Sequence, residues 1–242
     1  MPAAGVIRWG DQRARTGPWR AGSSVALLTT VMDAPPPSRE FVRRCLGLLA
    51  EQGFEKVVTG ALSPEEQSGF LEAGFTVHEQ LHLLVRDRSV PVPPPPAGPR
   101  LRRAWSWRAS RALQVDAAAF SPFWRLDKVG LREALAATPL RRFRVAMGKR
   151  GAVIGYAICG AAGVRGFVQR LAVAPEAQGR GVGKRLLLDG LAWLRDAGAY
   201  QVAVNTQIGN DAALHLYLSV GFREDPRGLS VLSADLSKVS VP

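Results

Sequence analysis

One stretch, residues 165–197, constrains the fold more than any other part of the chain, because it joins an apolar strand, a glycine-rich turn and an apolar helix. Pro175 ends the strand, since proline cannot donate to a β-ladder. Gly179, Gly181 and Gly183 then lead into a helix predicted over 181–197. The first N–H groups of a helix lack intrahelical partners and carry partial positive charge, so anions bind there. The stretch predicts an α/β protein that binds a phosphate group.

The spacing around these glycines excludes the two most familiar phosphate-binding motifs. Aligned on Gly183 and Lys184, a P-loop would need a glycine at Gln178 and a hydroxyl at Arg185. The dinucleotide fingerprint needs Gly-x-Gly-x-x-Gly, whereas the glycines here follow each other at every second residue. Neither a nucleoside triphosphate nor a dinucleotide is predicted.

The pattern that fits is Gln-x-x-Gly-x-Gly after a strand that ends in Val-x-Pro. Here it consists of Gln178, Gly181 and Gly183 after Val173 and Pro175. It resembles the pyrophosphate-binding segment of the GNAT acetyltransferase superfamily. That resemblance implies acetyl-CoA as co-substrate and no metal ion.

A second block downstream is similar to the second signature helix of the same family. Asn210 is followed by Ala213, by Tyr217 and then by Gly221-Phe222, and a predicted strand (201–204) separates the two blocks. The two blocks stand in the family's order. They imply the GNAT acyl-CoA N-acyltransferase fold, an α/β (α+β) fold with a mixed, mostly antiparallel sheet flanked by helices.

The organisation of the chain predicts one complete and one partial copy of this fold. A proline-rich linker, residues 89–100, separates an N-terminal region (1–88) from the catalytic domain (101–238). In the catalytic domain we expect strands near 101–108, 142–147, 152–160, 165–173, 200–205 and 222–236. Helices are expected near 109–119, 127–137, 181–197 and 210–219.

The N-terminal region also resembles this family, and we expect it to be a degenerate, smaller GNAT-like unit. Residues 70–75 match residues 217–222, and a strand (25–31) and a helix (39–52) precede them. Residues 33–38 between strand and helix hold three prolines and no glycine, and prolines lack the N–H donors that a pyrophosphate needs. We expect no cofactor site in this region. The region also lacks room for the first strand, the two helices and the next strands of the complete fold. An unrelated α/β appendage remains the alternative.

Charge and cysteine content limit the partners. The net charge of +12 falls entirely in residues 89–242, because residues 1–88 carry ten basic and ten acidic side chains. Arginine outnumbers lysine 27 to 5, which is typical of a GC-rich, here bacterial, genome. The excess of positive charge therefore does not predict a nucleic-acid partner.

The chain lacks an apolar membrane segment, which predicts a cytoplasmic location. Cys45 and Cys159 are expected to be buried free thiols.

The resemblance also implies roles for individual residues. Tyr217 matches the family's acid, which gives a proton to the leaving thiolate. The predicted cofactor-binding residues are Leu171, Ala172, Val173, Gln178, Gly179, Arg180, Gly181, Val182, Gly183, Lys184 and Asn210. Candidate substrate residues are Gln169, Asn205, Phe123 and Trp124. No general base is assigned, because the strand 166–171 holds no carboxylate.

The implied reaction is acetyl transfer from acetyl-CoA to a primary amine by direct attack in a ternary complex. The second signature helix resembles that of ribosomal-protein N-terminal acetyltransferases, which slightly favours a protein N-terminus or lysine. The aromatic residues Phe120, Phe123 and Trp124 suit a pocket for a small amine, so both acceptors stay open. The alternative is a non-catalytic CoA-binding or interaction protein on a GNAT fold. The oligomeric state is undetermined.

Overall fold

A computed structural model describes residues 5–20, 22–31, 34–105 and 107–238 of the chain, so residue 33 of the proline-containing turn lies outside the described part. The N-terminal part contains β1 (Gly5–Trp9), β2 (Gln12–Pro18), β3 (Val25–Thr30), α1 (Arg39–Glu51), β4 (Lys56–Leu62), α2 (Pro64–Glu72) and β5 (Thr76–Asp87). The remainder contains β6 (Arg100–Arg103), α3 (Trp107–Ala119), α4 (Lys128–Ala136), β7 (Leu140–Met147), β8 (Val153–Ala162), β9 (Arg165–Val173), α5 (Val182–Asp196), β10 (Gln201–Gln207), α6 (Asp211–Leu218) and β11 (Arg223–Asp235).

Contacts divide the chain into two compact units. The first comprises Met1–Leu83, Asn205–Gly209 and Asp225–Pro242, and the second comprises Leu84–Val204 and Asn210–Glu224. These limits differ from the predicted boundaries at residues 88 and 100. The C-terminal strand is one physical reason: the later part of β11 pairs antiparallel with β4, from Ser230 opposite Leu62 to Asp235 opposite Lys56.

The first unit has strands that run antiparallel from β1 through β2 to β3, after which β3 and β4 pair in parallel. Helix α1 supplies its core with side chains at helical spacing, Phe41, Val42, Cys45, Leu46 and Leu49. The expectation that this region lacks room for the strands that come before β3 is wrong, because β1 and β2 precede it. Strands β1 and β2 escaped prediction because their sequences are polar and contain several arginines, and only Ala14 and Gly17 of the two strands are buried.

The second unit has the same order of strand pairing. Strands β6, β7, β8 and β9 are antiparallel neighbours, and β9 and β10 pair in parallel. Helix α5 buries Leu186, Leu187 and Leu191 in this unit. It ends before Gly198, whose φ of +89° is favoured by glycine. The predicted mixed, mostly antiparallel arrangement with flanking helices is confirmed.

The strand predicted over 101–108 is too long. Strand β6 ends at Arg103 opposite Arg144, and α3 begins at Trp107. The alternation of apolar residues beyond Arg103 does not come from a sheet. Trp105 and Trp107 are exposed, and their rings lie under the guanidinium groups of Arg103 and Arg108, at 5.6 and 4.9 Å.

The predicted linker has no regular structure over residues 91–99, and hydrogen bonds join it to the second unit. The buried guanidinium of Arg86 donates to the carbonyl oxygens of Val90 and Pro91, both at 2.9 Å. Arg185 on α5 donates to the carbonyl oxygen of Pro96. The segment is therefore hydrogen-bonded to one unit at both ends, although most of its residues are exposed. Within the described ranges, no helix is long and apolar enough to cross a membrane.

Candidate active site

The edge of strand β9 that faces β10 is open over most of its length. Strand β10 pairs with it only from Gln201 opposite Arg165 to Ala203 opposite Phe167, while both strands continue further. On the other edge, β9 stays paired with β8 up to Val173, with a bulge where Val168 and Arg170 face adjacent residues of β8. Gln169 is the inserted residue. Bulges that terminate pairing and redirect side chains are common beside active sites.

The open edge presents backbone groups of two predicted cofactor residues. The N–H of Ala174 donates to the carbonyl oxygen of Ile154 on β8, at 3.0 Å. Because N–H directions alternate along a strand, the N–H groups of Leu171 and Val173 point to the opposite, open edge. Ala172, which lies between them, is 4% exposed. The strand thus offers main-chain donors, and not a reactive side chain, to a bound molecule.

The turn after β9 leaves the start of α5 without a cap. Gly179 and Gly181 both adopt left-handed backbone conformations, with φ of +71° and +72°. Gly181 is the N-cap residue and has no side chain to accept a bond from the first N–H groups of the helix. Alternating left-handed glycines direct successive N–H groups to one side, which forms an anion-binding concavity. This arrangement suits a pyrophosphate.

Side chains around this turn hold it in place and add positive charge. Gln178 does not point into the concavity: its Nε2 donates to the carbonyl oxygen of Val173 at 3.2 Å and ties the turn to the end of β9. Arg180 is exposed and Lys184 is half-buried, so both cations are available near the helix start. Val182 is 2% exposed, so only its backbone can contact a ligand.

Gly183 lies where three elements approach closely. A Cβ at this position would lie 3.3 Å from Cδ2 of Leu216 and 3.5 Å from Cγ2 of Val173. Leu216 belongs to α6, so the start of α5, the end of β9 and the second signature helix meet here. The structure therefore brings the two sequence blocks together.

Helix α6 contributes a cap and a phenol. The Oδ1 atom of Asn210 accepts from the N–H of Ala213 at 3.2 Å, which leaves its Nδ2 group available as a donor. Tyr217 is 5% exposed, and its ring packs edge-on against Phe222. Burial raises the pKa of the phenol, the buried thiol of Cys159 adds to the rise, and Arg170 opposes it. Tyr217 thus keeps its proton at neutral pH, as a general acid must.

The corresponding helix start in the first unit is closed to an anion. Ser38 caps α1 by accepting from the N–H of Phe41 at 3.2 Å. Gln12 accepts from the N–H of Ser38 at 2.6 Å, and Pro35, Pro36 and Pro37 have no N–H. The first turn of α1 is therefore capped by a side chain, whereas the first turn of α5 is not.

The predicted substrate residues separate into two groups. Gln169 lies on β9 in the second unit, where its Nε2 is 3.4 Å from the hydroxyl of Thr138 and its buried Oε1 has no donor. Phe123 and Trp124 form a half-buried, edge-on pair in a short 3₁₀ turn after α3. Asn205 is exposed on β10, in the part of that strand assigned to the first unit.

A buried polar cluster beside Gln169 escaped the sequence analysis. Asp116 of α3 is fully buried and accepts from Tyr156, from Arg170 and from the N–H of Leu126. Burial, followed by the nearby Asp116 charge, raises the pKa of Tyr156, which therefore remains a donor. No short motif joins residues 40 or 54 positions apart, so only the tertiary structure reveals this cluster. Among the described residues, no group of three or more His, Cys, Asp or Glu side chains is placed to hold a metal ion.

Comparison with known proteins identifies the family. The mycothiol acetyltransferase of Thermobispora bispora is 30% identical over 229 residues, covering 83% of this chain and 77% of that protein. The model of the acetyltransferase (GNAT) family matches residues 106–222. The chain belongs to the GNAT acetyltransferase family. A shorter match, 46% over 57 residues, joins 24% of this chain to 19% of the mycothiol acetyltransferase of Rhodococcus jostii.

Solved GNAT structures share the fold over almost the whole chain. A tandem GNAT protein from the clavulanic acid biosynthesis pathway superposes with a TM-score of 0.68 at 16% identity, covering 97% of this chain and 84% of that one. A GCN5-related N-acetyltransferase from Kribbella flavida gives a TM-score of 0.64 at 15% identity, with 96% and 90% covered. The predicted GNAT fold is confirmed.

Proposed function

We propose that this GNAT protein transfers the acetyl group of acetyl-CoA to the primary amine of a small molecule, by direct attack in a ternary complex. The observation that carries the proposal is the uncapped start of α5, with Gly179 and Gly181 in left-handed conformations, beside the open edge of β9. One surface of the second unit thus offers an anion site next to a row of free main-chain donors.

Acetyl-CoA binding follows from these two features. The N–H groups of residues 178–184 bind the pyrophosphate, and Arg180 and Lys184 add charge. The backbone of Leu171 and Val173 hydrogen-bonds the acetyl-pantetheine arm along the open edge. Nδ2 of Asn210 donates to the arm from α6. The side chain of Gln178 acts indirectly, since it fixes the turn to β9.

The chemistry assigns a role to two groups. The nitrogen of the amine attacks the thioester carbon, and the N–H of Val173 donates to the oxyanion that forms on its oxygen. The carbon–sulfur bond then breaks, Tyr217 gives its proton to the leaving thiolate, and water returns to the phenolate the proton that the amine releases. The proton released by the amine passes to water, because β9 carries no carboxylate and Glu176, just beyond it, is exposed.

Two observations favour a small-molecule acceptor over a protein amine. The relative with 77% of its length covered is a mycothiol acetyltransferase, so an amine of the mycothiol type is the first candidate. Phe123 and Trp124 lie in a segment that Arg170 and Asp116 of the same unit hold against β9, which suits a compact acceptor pocket.

A panel of amines tests the activity: mycothiol lacking its acetyl group, short peptides with free N-termini, and a lysine peptide. Thiol release from acetyl-CoA is measured for the native protein, for Tyr217→Phe and for Tyr200→Phe, an exposed tyrosine of the same unit. We expect Tyr217→Phe to lower kcat about 100-fold without weakening acetyl-CoA binding, and Tyr200→Phe to behave as native.

The absence of a carboxylate on β9 favours one second candidate, a non-catalytic protein that binds CoA. Calorimetric binding of acetyl-CoA without thiol release on any amine would support that candidate and refute the enzyme. Release with peptides alone would replace the small-molecule acceptor by a protein.

A further inference from the structure

The buried cluster around Asp116 connects three elements of the second unit. Asp116 on α3 is 0% exposed, and both its oxygens accept hydrogen bonds. Oδ2 accepts from the hydroxyl of Tyr156 on β8 at 2.5 Å and from Nε of Arg170 on β9 at 2.9 Å. Oδ1 accepts from Nη2 of Arg170 at 3.1 Å and from the N–H of Leu126 at 2.6 Å. A buried carboxylate needs such complete pairing to offset the loss of hydration.

The guanidinium of Arg170 extends the cluster to the aromatic segment, which we define as residues 120–126. Its Nη2 also donates to the carbonyl oxygen of Trp124 at 2.6 Å. Its Cζ lies 3.5 Å from the centroid of the Phe120 ring. One planar side chain therefore binds a carboxylate, a main-chain carbonyl and an aromatic face at once. Lysine, a single point donor on a flexible stem, cannot make these three contacts together.

The position of Arg170 on β9 links the aromatic segment to the reaction site. Arg170 directly precedes Leu171, the first residue of the open edge proposed for acetyl-CoA. It directly follows Gln169, the bulged residue whose buried Oε1 has no donor. An unpaired buried oxygen is costly unless a ligand or water supplies a donor, and the N–H of an amine is such a donor.

The cluster around Asp116 matters more for the position of the aromatic segment than for the stability of the folded protein. Replacing a buried ion pair by apolar side chains is often neutral for stability, so the pair is weak evidence of a stabilising role. Its geometry, in contrast, fixes the main chain at Trp124 and Leu126 relative to β9. A shift of the aromatic segment by about 1 Å would displace Phe123 and Trp124 from a bound amine.

We propose that Arg170, held by Asp116 and Tyr156, is a positioning residue that sets the acceptor subsite by fixing the aromatic segment against β9. This inference rests on the proposed acetyl transfer and deepens it. The acceptor subsite it describes is a compact one, walled by the aromatic segment.

The test compares Arg170→Lys with Arg142→Lys. Arg142 forms a similar two-bond pair with Asp189, at 2.8 and 2.9 Å, in the same unit but away from the aromatic segment. Steady-state kinetics with the best amine of the panel give KM for the amine and for acetyl-CoA. We expect Arg170→Lys to raise KM for the amine about tenfold and to change KM for acetyl-CoA less than twofold. Arg142→Lys should change neither.

Amide hydrogen exchange of residues 120–126 provides a second measurement that needs no activity. Exchange at Leu126 should be about tenfold faster in Arg170→Lys than in Arg142→Lys. If Arg170→Lys does not fold, Tyr156→Phe, which removes one donor from Asp116 and keeps the ion pair, should speed the same exchange about threefold.

The outcomes separate this inference from the proposed function. An equal rise in both KM values, or a fall in kcat alone, would overturn the positioning role. Unchanged exchange at residues 120–126 would overturn it as well, whether or not the protein is active. A native protein that transfers acetyl to no amine would refute the proposed function instead, and the exchange measurement would still decide whether Arg170 fixes the segment.

Discussion

The start of helix α5 gives the sharpest test of the acetyl-CoA site, through Gly181→Glu with Gly198→Glu as its matched control. Both glycines have left-handed backbones, with φ of +72° and +89°, and a Cβ at either position would meet no atom within 4 Å. A side chain in this conformation costs about 1–2 kcal/mol at each position, without steric overlap. Each variant should therefore lose a few degrees in Tm, which differential scanning calorimetry measures.

Binding should distinguish the two variants, because they lie at opposite ends of the same helix. At Gly181 the new carboxylate stands beside the N–H groups proposed for the pyrophosphate. Two like charges about 5–6 Å apart repel by about 3 kcal/mol at an effective dielectric constant of 20. That energy corresponds to a Kd for acetyl-CoA about 100-fold higher, whereas Gly198→Glu should bind as the native protein does.

Isothermal titration calorimetry with acetyl-CoA measures the two dissociation constants at equal salt. Because Gly198→Glu carries a similar backbone cost, weaker binding by Gly181→Glu alone cannot be attributed to the lower stability of the protein. A Kd for Gly181→Glu within threefold of that for Gly198→Glu would show that the pyrophosphate does not bind at the start of α5.

Three further predictions concern other residues. Asn210→Ala should lower the free energy of unfolding by about 1 kcal/mol in a urea titration, because the helix loses the hydrogen bond from the N–H of Ala213 to the side chain of Asn210. Asn210→Asp should keep that stability but weaken acetyl-CoA binding, because it lacks the Nδ2 donor. Because the pKa of Tyr217 is raised, kcat should not fall with rising pH below about pH 10. A fall in kcat near pH 8 would show that Tyr217 is not the general acid. Burial raises the pKa of both Cys45 and Cys159 to about 12. A thiol reagent at pH 8 should therefore modify neither cysteine until urea unfolds the protein. Fast labelling of the native protein would contradict the burial of the two thiols.

Much of the second unit could be predicted from local patterns. Strand β9 (Arg165–Val173) has the predicted ends, and α5 and α6 differ from their predictions by one residue at each end. These elements carry apolar periodicity and end at glycine or proline, signals that act within a few residues. Strands β1 and β2 were missed because only Ala14 and Gly17 of these polar strands are buried, which leaves no apolar periodicity to recognise.

The candidate site was predictable where main-chain geometry depends on local sequence. Gly179 and Gly181 adopt the left-handed conformations that a glycine-rich turn permits. The direction of the Gln178 side chain, which binds Val173 instead of a ligand, was not predictable, because it depends on the position of a carbonyl five residues away in the folded chain.

The sequence by itself determined the family signature, the order of the catalytic elements and the difference between a glycine-rich and a proline-rich helix start, because each of these depends on backbone freedom and on N–H groups within a short segment. Only the tertiary structure decided that β11 pairs with β4, that the edge of β9 is open beyond Phe167, and that Asp116, Tyr156 and Arg170 share one buried cluster. These features join residues far apart in sequence. Their stability comes from burial and strand pairing that exist only in the folded chain.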